Sequence, residues 1–296
     1  MRKPRNPSNG NSTVIAWALD HGLESPMIDA WHAEELTLEI GGHGLAARWL
    51  RPHCNHDPRT QPTLVFLHEG LGSIAQWRDF PETLARRTGL AAFCYDRLGH
   101  GRSPGLTEAR TMAYLEHEAC QVLPSLLSAA GITHPILIGH SDGGTIALLF
   151  AANFPTLPHA VVTEAAHVFL EPITLQGLQA AREAYLNSTL RPKLERFHGN
   201  KVDALFYGWN DTWLHPASCQ WDISDSLATL RAPLLMIQGA EDAYGSPAQL
   251  QAATARVAGP AEVLLIPECG HSPHSQAPAI VLDRMASFLG KFPAPR

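Results

Sequence analysis

Short continuous apolar runs, each about the length of one strand, recur along this chain with helix-like stretches between them. They fall at residues 63–67, 90–95, 135–138, 160–163, 233–237 and 262–266. Unbroken runs of this kind mark strands covered on both faces, and their alternation with helical patterns implies βα units in a mostly parallel sheet. Ahead of them, residues 35–48 alternate apolar and polar around Gly41-Gly42-His43-Gly44 and read as a β-hairpin. Between about His167 and Asp225 the rhythm breaks. No strand-like run appears there, helical patterns dominate, and Phe206, Tyr207, Trp209, Trp213 and Trp221 concentrate. The segment reads as a helical insertion whose aromatic rings pack it onto the body, a role compatible with a substrate-facing lid.

Composition removes whole classes of function. Of 296 residues 45% are apolar, and 22 Lys and Arg against 28 Asp and Glu leave a net charge of −6. No basic excess exists to neutralise a phosphate backbone, so nucleic acid is not an expected partner. No apolar run approaches the ~20 residues of a membrane span. The first thirteen residues are polar and residues 14–19 are too short for a secretory h-region, so residues 1–30 are expected to form an N-terminal arm. Residues 291–296 are expected to fray. Five cysteines, Cys54, Cys94, Cys120, Cys219 and Cys269, are odd in number and lack C-x-x-C spacing, which fits a reducing cytoplasm rather than a disulfide framework or zinc ribbon.

The chemistry concentrates in Gly139-His140-Ser141-Asp142-Gly143, a G-x-S-x-G segment between a strand-like run and a helix-like run. A hydroxyl is a weak nucleophile, and a sharp strand-to-helix turn with small flanking residues presents it above the sheet. Ser141 is the candidate nucleophile. It needs a base, and the base an orienting acid. Asp242 and His271 each follow a strand-like run, which puts them on the sheet edge where open α/β sheets carry their chemistry. Sixteen histidines make coincidence a hazard at any single one, so His167 stands as a rival base and Glu164 as a rival acid. His271 and His274 are a weak metal pair without a third ligand, and no metal or cofactor is expected. His117, His198 and His215 read as surface or packing residues. Two backbone amides must meet a tetrahedral oxyanion. The amide of Asp142 is one candidate, and the turn His68-Glu69-Gly70-Leu71-Gly72 offers Gly70, with Glu69 second. His68, His140, His167, Trp209 and Trp213 are the candidate substrate-facing side chains.

These residues together resemble the α/β-hydrolase family, over roughly residues 36–289. Leu67-His68-Glu69-Gly70 looks like its oxyanion loop, and Asp96-Arg97-Leu98-Gly99-His100-Gly101-Arg102-Ser103 is similar to its D-x-x-G-x-G-x-S segment. Gly139 to Gly143 matches its nucleophile elbow, while Gly239 to Asp242 and Gly270-His271 match its acid and histidine loops. The resemblance implies an eight-stranded, mostly parallel sheet with helices on both faces and a helical cap, here 167–225 against a core of 31–166 and 226–296. It also implies a cofactor-free Ser-His-Asp mechanism and a pocket between cap and body. One departure stands out: the family usually reads His-Gly where this chain reads His68-Glu69. Asp142 and Glu69 would then flank the site with two acids and repel anionic substrates, unless an arginine such as Arg97 or Arg102 engages Glu69.

The expected activity is that of a serine hydrolase, carboxylesterase-like, acting on an ester or related acyl bond of a small neutral substrate. Carbon–carbon hydrolysis of an aromatic ring-cleavage product is the alternative within the fold, and a ligand-binding receptor or inactive scaffold the alternative outside enzymology. The partner is a small molecule, and the protein is expected as a cytoplasmic monomer or homodimer.

Overall fold

The computed structural model describes residues 31–52 and 56–292; the expected arm over 1–30, Cys54 and residues 293–296 of the expected frayed tail lie outside them. Strands β1 (Trp31–Ile40), β2 (His43–Pro52), β3 (Thr63–Leu67), β4 (Ala91–Tyr95), β5 (Pro135–His140), β6 (Ala160–Glu164), β7 (Leu234–Gly239) and β8 (Ala261–Ile266) form one sheet in the order β1-β2-β4-β3-β5-β6-β7-β8. The hairpin is longer than its alternating pattern suggests, pairing Trp31 with Pro52, and it turns on Gly41 and Gly42 at φ 59° and 81°. Positive φ at both central residues matches the right-handed twist of the flanking strands and favours glycine. From β4 to β8 the sheet is parallel.

Each apolar run became a buried strand because its side chains alternate between two covered faces. Val65, Leu67, Phe93 and Leu137 point to one core, Leu64, Phe66, Ile136 and Ile138 to the other. The helices are α1 (Phe80–Thr88), α2 (Tyr114–His117), α3 (Leu123–Ala130), α4 (Asp142–Asn153), α5 (Pro172–Asn187), α6 (Leu190–His198), α7 (Val202–Leu214), α8 (Ala248–Thr254), α9 (Pro273–Gln276) and α10 (Pro278–Leu289). Residues of α3, α4 and α8 fill the first core and residues of α1 and α10 the second. Strand β8 departs from the expectation: Val263 and Leu265 stay 44% and 43% exposed. It is the last strand of the sheet, and among the described residues nothing buries the face those alternating residues share.

Between β6 and β7 the chain forms α5, α6 and α7, the helical insertion its pattern predicts. Its two ends are drawn together by the Ile223 amide on the Val168 carbonyl at 2.8 Å and the Leu170 amide on the Trp221 carbonyl at 3.3 Å. Inside it, Phe206 stacks on Tyr185 at 3.7 Å, whereas Tyr207 is exposed. Among the described residues no helix is long and apolar enough to cross a membrane.

Candidate active site

Ser141 closes β5 and opens α4 with φ 53° and ψ −116°. A non-glycine residue held there carries about 1–3 kcal/mol of backbone strain, maintained only by surroundings that leave no alternative. The neighbouring glycines supply that constraint. A Cβ on Gly139 would lie 2.2 Å from the Gly143 carbonyl oxygen, and one on Gly143 would lie 2.0 Å from that of Leu67. The Ser141 amide donates to the Glu164 carbonyl at 2.8 Å, and the Thr145 amide donates to the Ser141 carbonyl at 3.0 Å, so the turn is fixed on both sides.

The three predicted groups meet. His271 Nε2 lies 3.0 Å from Ser141 Oγ, and His271 Nδ1 lies 2.8 and 2.9 Å from the two carboxylate oxygens of Asp242. Burial alone would raise the Asp242 carboxyl pKa. The His271 hydrogen bond and charge and the Tyr244 amide at 2.8 Å outweigh it, holding the group below its ordinary value and ionised. Gln238 Nε2 donates to the same carboxylate at 2.6 Å. Gly239 lets the two loops converge, since a Cβ there would lie 2.2 Å from the Cys269 and Gly270 carbonyl oxygens. An ionised acid on Nδ1 leaves Nε2 to accept the serine proton.

Both rivals hold other positions. The Glu164 carboxylate accepts from the His274 amide at 2.7 Å and from its Nδ1 at 3.0 Å, three residues past His271, so it anchors that loop and does not orient the base. His167 Nε2 donates to the Tyr244 carbonyl at 3.0 Å, its ring centre 5.9 Å from that of His271. Burial and the nearby His271 lower its pKa.

The predicted arginine partners of Glu69 are corrected. Arg102 pairs with Glu35 on β1. Arg97 spends its guanidinium on the His68 and Glu69 carbonyls, at 3.2 and 2.8 Å, and on the Asp142 carboxylate at 3.7 Å. The Glu69 carboxylate instead lies 3.4 Å from His140 Nδ1. Burial works against charge on both groups, yet their mutual attraction lowers the Glu69 pKa and raises that of His140, so each favours the charged form of the other. The other nitrogen of His140 donates to the His271 carbonyl at 2.7 Å. Asp142 is held by the Tyr114 hydroxyl at 2.6 Å, which in turn accepts from Trp213 Nε1 at 2.8 Å. Each acid at the site therefore has a partner, Glu69 in His140 and Asp142 in Tyr114 and Arg97.

Ser141 opens onto a cavity of about 120 Å³ shared by the insertion and the sheet edge. Glu69, Gly70, Asp142, His167, Trp209, Trp213 and His271 are on its wall as expected, joined by Leu71, Phe169, Leu178, Trp221 and Tyr244. His68 and His140, also expected there, sit behind the wall at 1% and 2% exposure because backbone carbonyls claim their ring N–H groups. Trp209 presses on the turn itself: its Nε1 lies 2.4 Å from where a Gly70 Cβ would be. Sequence reasoning misses Arg97, Tyr114 and Tyr244 as site residues. Arg97 stands in the D-x-x-G-x-G-x-S segment, which was a usable signal, whereas nothing in the sequence marks Tyr114 or Tyr244. Among the described residues no group of three or more His, Cys, Asp or Glu side chains could hold a metal ion.

Comparison with known proteins identifies the fold family. The sequence model of the alpha/beta hydrolase fold matches residues 62–231. The chain is 24% identical over 263 residues to the mouse sn-1-specific diacylglycerol lipase ABHD11, covering 78% of this chain and 81% of that one. It is 24% identical over 270 residues to 2-succinyl-6-hydroxy-2,4-cyclohexadiene-1-carboxylate synthase of Salmonella paratyphi C, covering 80% and 98%. Among solved structures, 2-hydroxy-6-oxo-6-phenylhexa-2,4-dienoate hydrolase from a Rhodococcus strain superposes with a TM-score of 0.69 at 16% identity over 88% of this chain and all of that one.

Proposed function

The chain belongs to the alpha/beta hydrolase fold family, and from that premise we propose that it is a serine hydrolase cleaving a carboxylic ester or related acyl bond of a small uncharged substrate. The observation that carries the proposal is the hydrogen-bonded line Ser141 Oγ, His271, Asp242 at 3.0 and 2.8 Å, beginning on a strained turn. In this reading Ser141 Oγ attacks the acyl carbon as His271 Nε2 takes its proton. Asp242 steadies the imidazolium, and the amides of Asp142 and Gly70 receive the oxyanion. The proton then passes to the leaving oxygen, and water activated by His271 releases the acid. The segment 167–225 acts as a cap over the acyl group.

Size and charge support the substrate class. About 120 Å³ is comparable to the ~150 Å³ apolar cavity that takes a benzene ring, which favours a compact acyl group over a long chain. Among the described residues that line the cavity there is no Lys or Arg to pair with a substrate carboxylate, and Glu69 and Asp142 are already engaged. The aromatic wall of Phe169, Trp209, Trp213 and Trp221 also supports a second reading, carbon–carbon hydrolysis of a ring-cleavage product by the same groups.

The test is release of p-nitrophenol from acetate, butyrate and octanoate esters in the presence of EDTA, with Ser141→Ala and His271→Ala as controls. Turnover that falls from acetate to octanoate and disappears in both variants is expected. Failure of the folded wild type on every ester would overturn ester cleavage and send the assay to a ring-cleavage dienoate, then to ligand binding without turnover.

A further inference from the structure

Three histidines outside the triad converge on the turn that carries Gly70. His68 Nδ1 donates to the Glu69 carbonyl at 2.8 Å, His198 Nε2 to the Leu71 carbonyl at 2.9 Å, and His100 Nδ1 to the Gly72 carbonyl at 3.0 Å. Their rings form a string, His68 to His100 at 4.5 Å between centres and His100 to His198 at 6.0 Å. They come from three places: the turn itself, the loop after β4, and the last residue of α6 in the insertion. All three are nearly fully buried.

The second nitrogen of each ring settles its protonation. The Arg97 amide donates to His68 Nε2 at 3.1 Å, the Gly101 amide to His198 Nδ1 at 3.0 Å, and Arg110 Nη2 to His100 Nε2 at 2.5 Å. An N–H aimed at a ring nitrogen requires a lone pair there; Arg97 Nη2 also stands 3.5 Å from His68 Nδ1, but its two N–H groups go to the His68 and Glu69 carbonyls at 3.2 and 2.8 Å, so each ring carries one proton, on the nitrogen that faces the turn. We propose that His68, His100 and His198 are positioning residues of the oxyanion turn, which they hold by three neutral imidazoles, and that His198 makes the turn's geometry depend on docking of the helical insertion. The proposal rests on the serine-hydrolase reading and adds to it a role for the insertion separate from contact with substrate.

A second proton on any of the rings would set N–H against N–H. Burial and the surrounding cations resist that proton: His68 and His100 are pushed well below the ordinary histidine value and His198 is lowered. The charged groups that face the string are Arg97 and Asp96 from the loop after β4, Arg110 from the next segment, Lys201 after α6, and Glu69 from the turn. The charges of Glu69 and Asp96 and the turn carbonyls favour an added proton on His68 and His198, and burial outweighs them.

Two experiments decide it. The first compares His198→Ala with His198→Gln on p-nitrophenyl acetate, a substrate with little acyl surface for the insertion to grip. A carboxamide offers one accepting atom and one donating atom, as the neutral ring does, and does not titrate. Misplacing the turn by an ångström costs on the order of 100-fold, so kcat should fall 10- to 100-fold in His198→Ala with KM changed less than threefold, and stay within about fivefold of wild type in His198→Gln. Equal kcat in wild type and His198→Ala, or a His198→Gln variant as slow as His198→Ala, overturns the proposal. The second needs no variant: long-range 1H–15N imidazole spectra of the wild type should show His68, His100 and His198 neutral at pH 6.5, His68 and His100 protonated at Nδ1 and His198 at Nε2. A cationic signature on any of the three at that pH refutes it even if ester turnover is normal. If the folded wild type turns over no ester, it is the ester-cleavage reading that fails, and the imidazole spectra still decide whether the three neutral rings hold the turn.

Discussion

Replacing Gly143 by alanine adds a single methyl group, and the structure says where it goes. That Cβ would stand 2.0 Å from the Leu67 carbonyl oxygen, 2.5 Å from its carbon and 2.8 Å from the His68 carbonyl oxygen. All three are backbone atoms at the end of β3, in the middle of the sheet, so no side chain can swing aside. Reaching an ordinary 3.4 Å contact with the oxygen takes about 1.4 Å of movement between α4 and β3. Overpacking of a core costs about 1–3 kcal/mol. With rigid backbone on both sides the upper end applies, a fall in Tm of about 6 °C at ~2 °C per kcal/mol for a domain of this size. The same movement separates Ser141 from the turn holding Gly70, and an ångström of misplacement lowers kcat about 100-fold. Gly105→Ala is the control, because its nearest atoms are the Lys201 methylenes at 3.7 Å. Thermal melts and p-nitrophenyl acetate kinetics read both quantities. A Gly143→Ala protein with wild-type Tm and kcat would refute the argument that close backbone approach builds the site.

Other perturbations follow from the same contacts. Asp242→Asn should lower kcat about 10⁴-fold with the fold intact, since an amide cannot hold His271 in the required tautomer; a loss under tenfold counts against the orienting role. Gly70→Ala drives a methyl group to 2.4 Å from Trp209 Nε1, so turnover should drop and the tryptophan emission shift, and unchanged values of both would contradict that contact. Glu69→Gln should destabilise the protein most between about pH 4.5 and 6.5. The raised His140 contributes stability below its ordinary 6.5 that is lost as pH rises through its folded value, and the lowered Glu69 contributes above its ordinary 4.5. Because His140 can shed its proton in the variant, the loss stays near 1–3 kcal/mol, and a Tm gap from wild type that is wider at pH 9 than at pH 6 would reject the ion pair.

Much of this was legible in the amino acids because the physics behind it is local. Val65 and Leu67 against Leu64 and Phe66 needed only the two-residue strand period. Ser141 needed only small neighbours between a strand and a helix, and Asp242 and His271 only their places after successive strands. What was not legible depends on distance. Glu69 is one residue from His68 yet pairs with His140, 71 positions away, and Arg102 turns to β1. No pattern within either segment reports those choices. Strand β8 differs from its pattern for a related reason, since an apolar run does not say whether a neighbour covers it. The histidine string is the clearest case: His198 reads as a surface or packing residue and His68 as substrate-facing, and what they share with His100 appears only when three carbonyls of one turn are seen to take their protons.

The central claim is that Ser141 is a nucleophile activated by His271. Treating the protein with phenylmethanesulfonyl fluoride and mapping the adduct by peptide mass spectrometry tests it without knowledge of the substrate. A single adduct on the peptide bearing Ser141, formed at least 100-fold more slowly in His271→Ala, is the predicted result. Labelling elsewhere, or labelling of Ser141 at the same rate without His271, would contradict it.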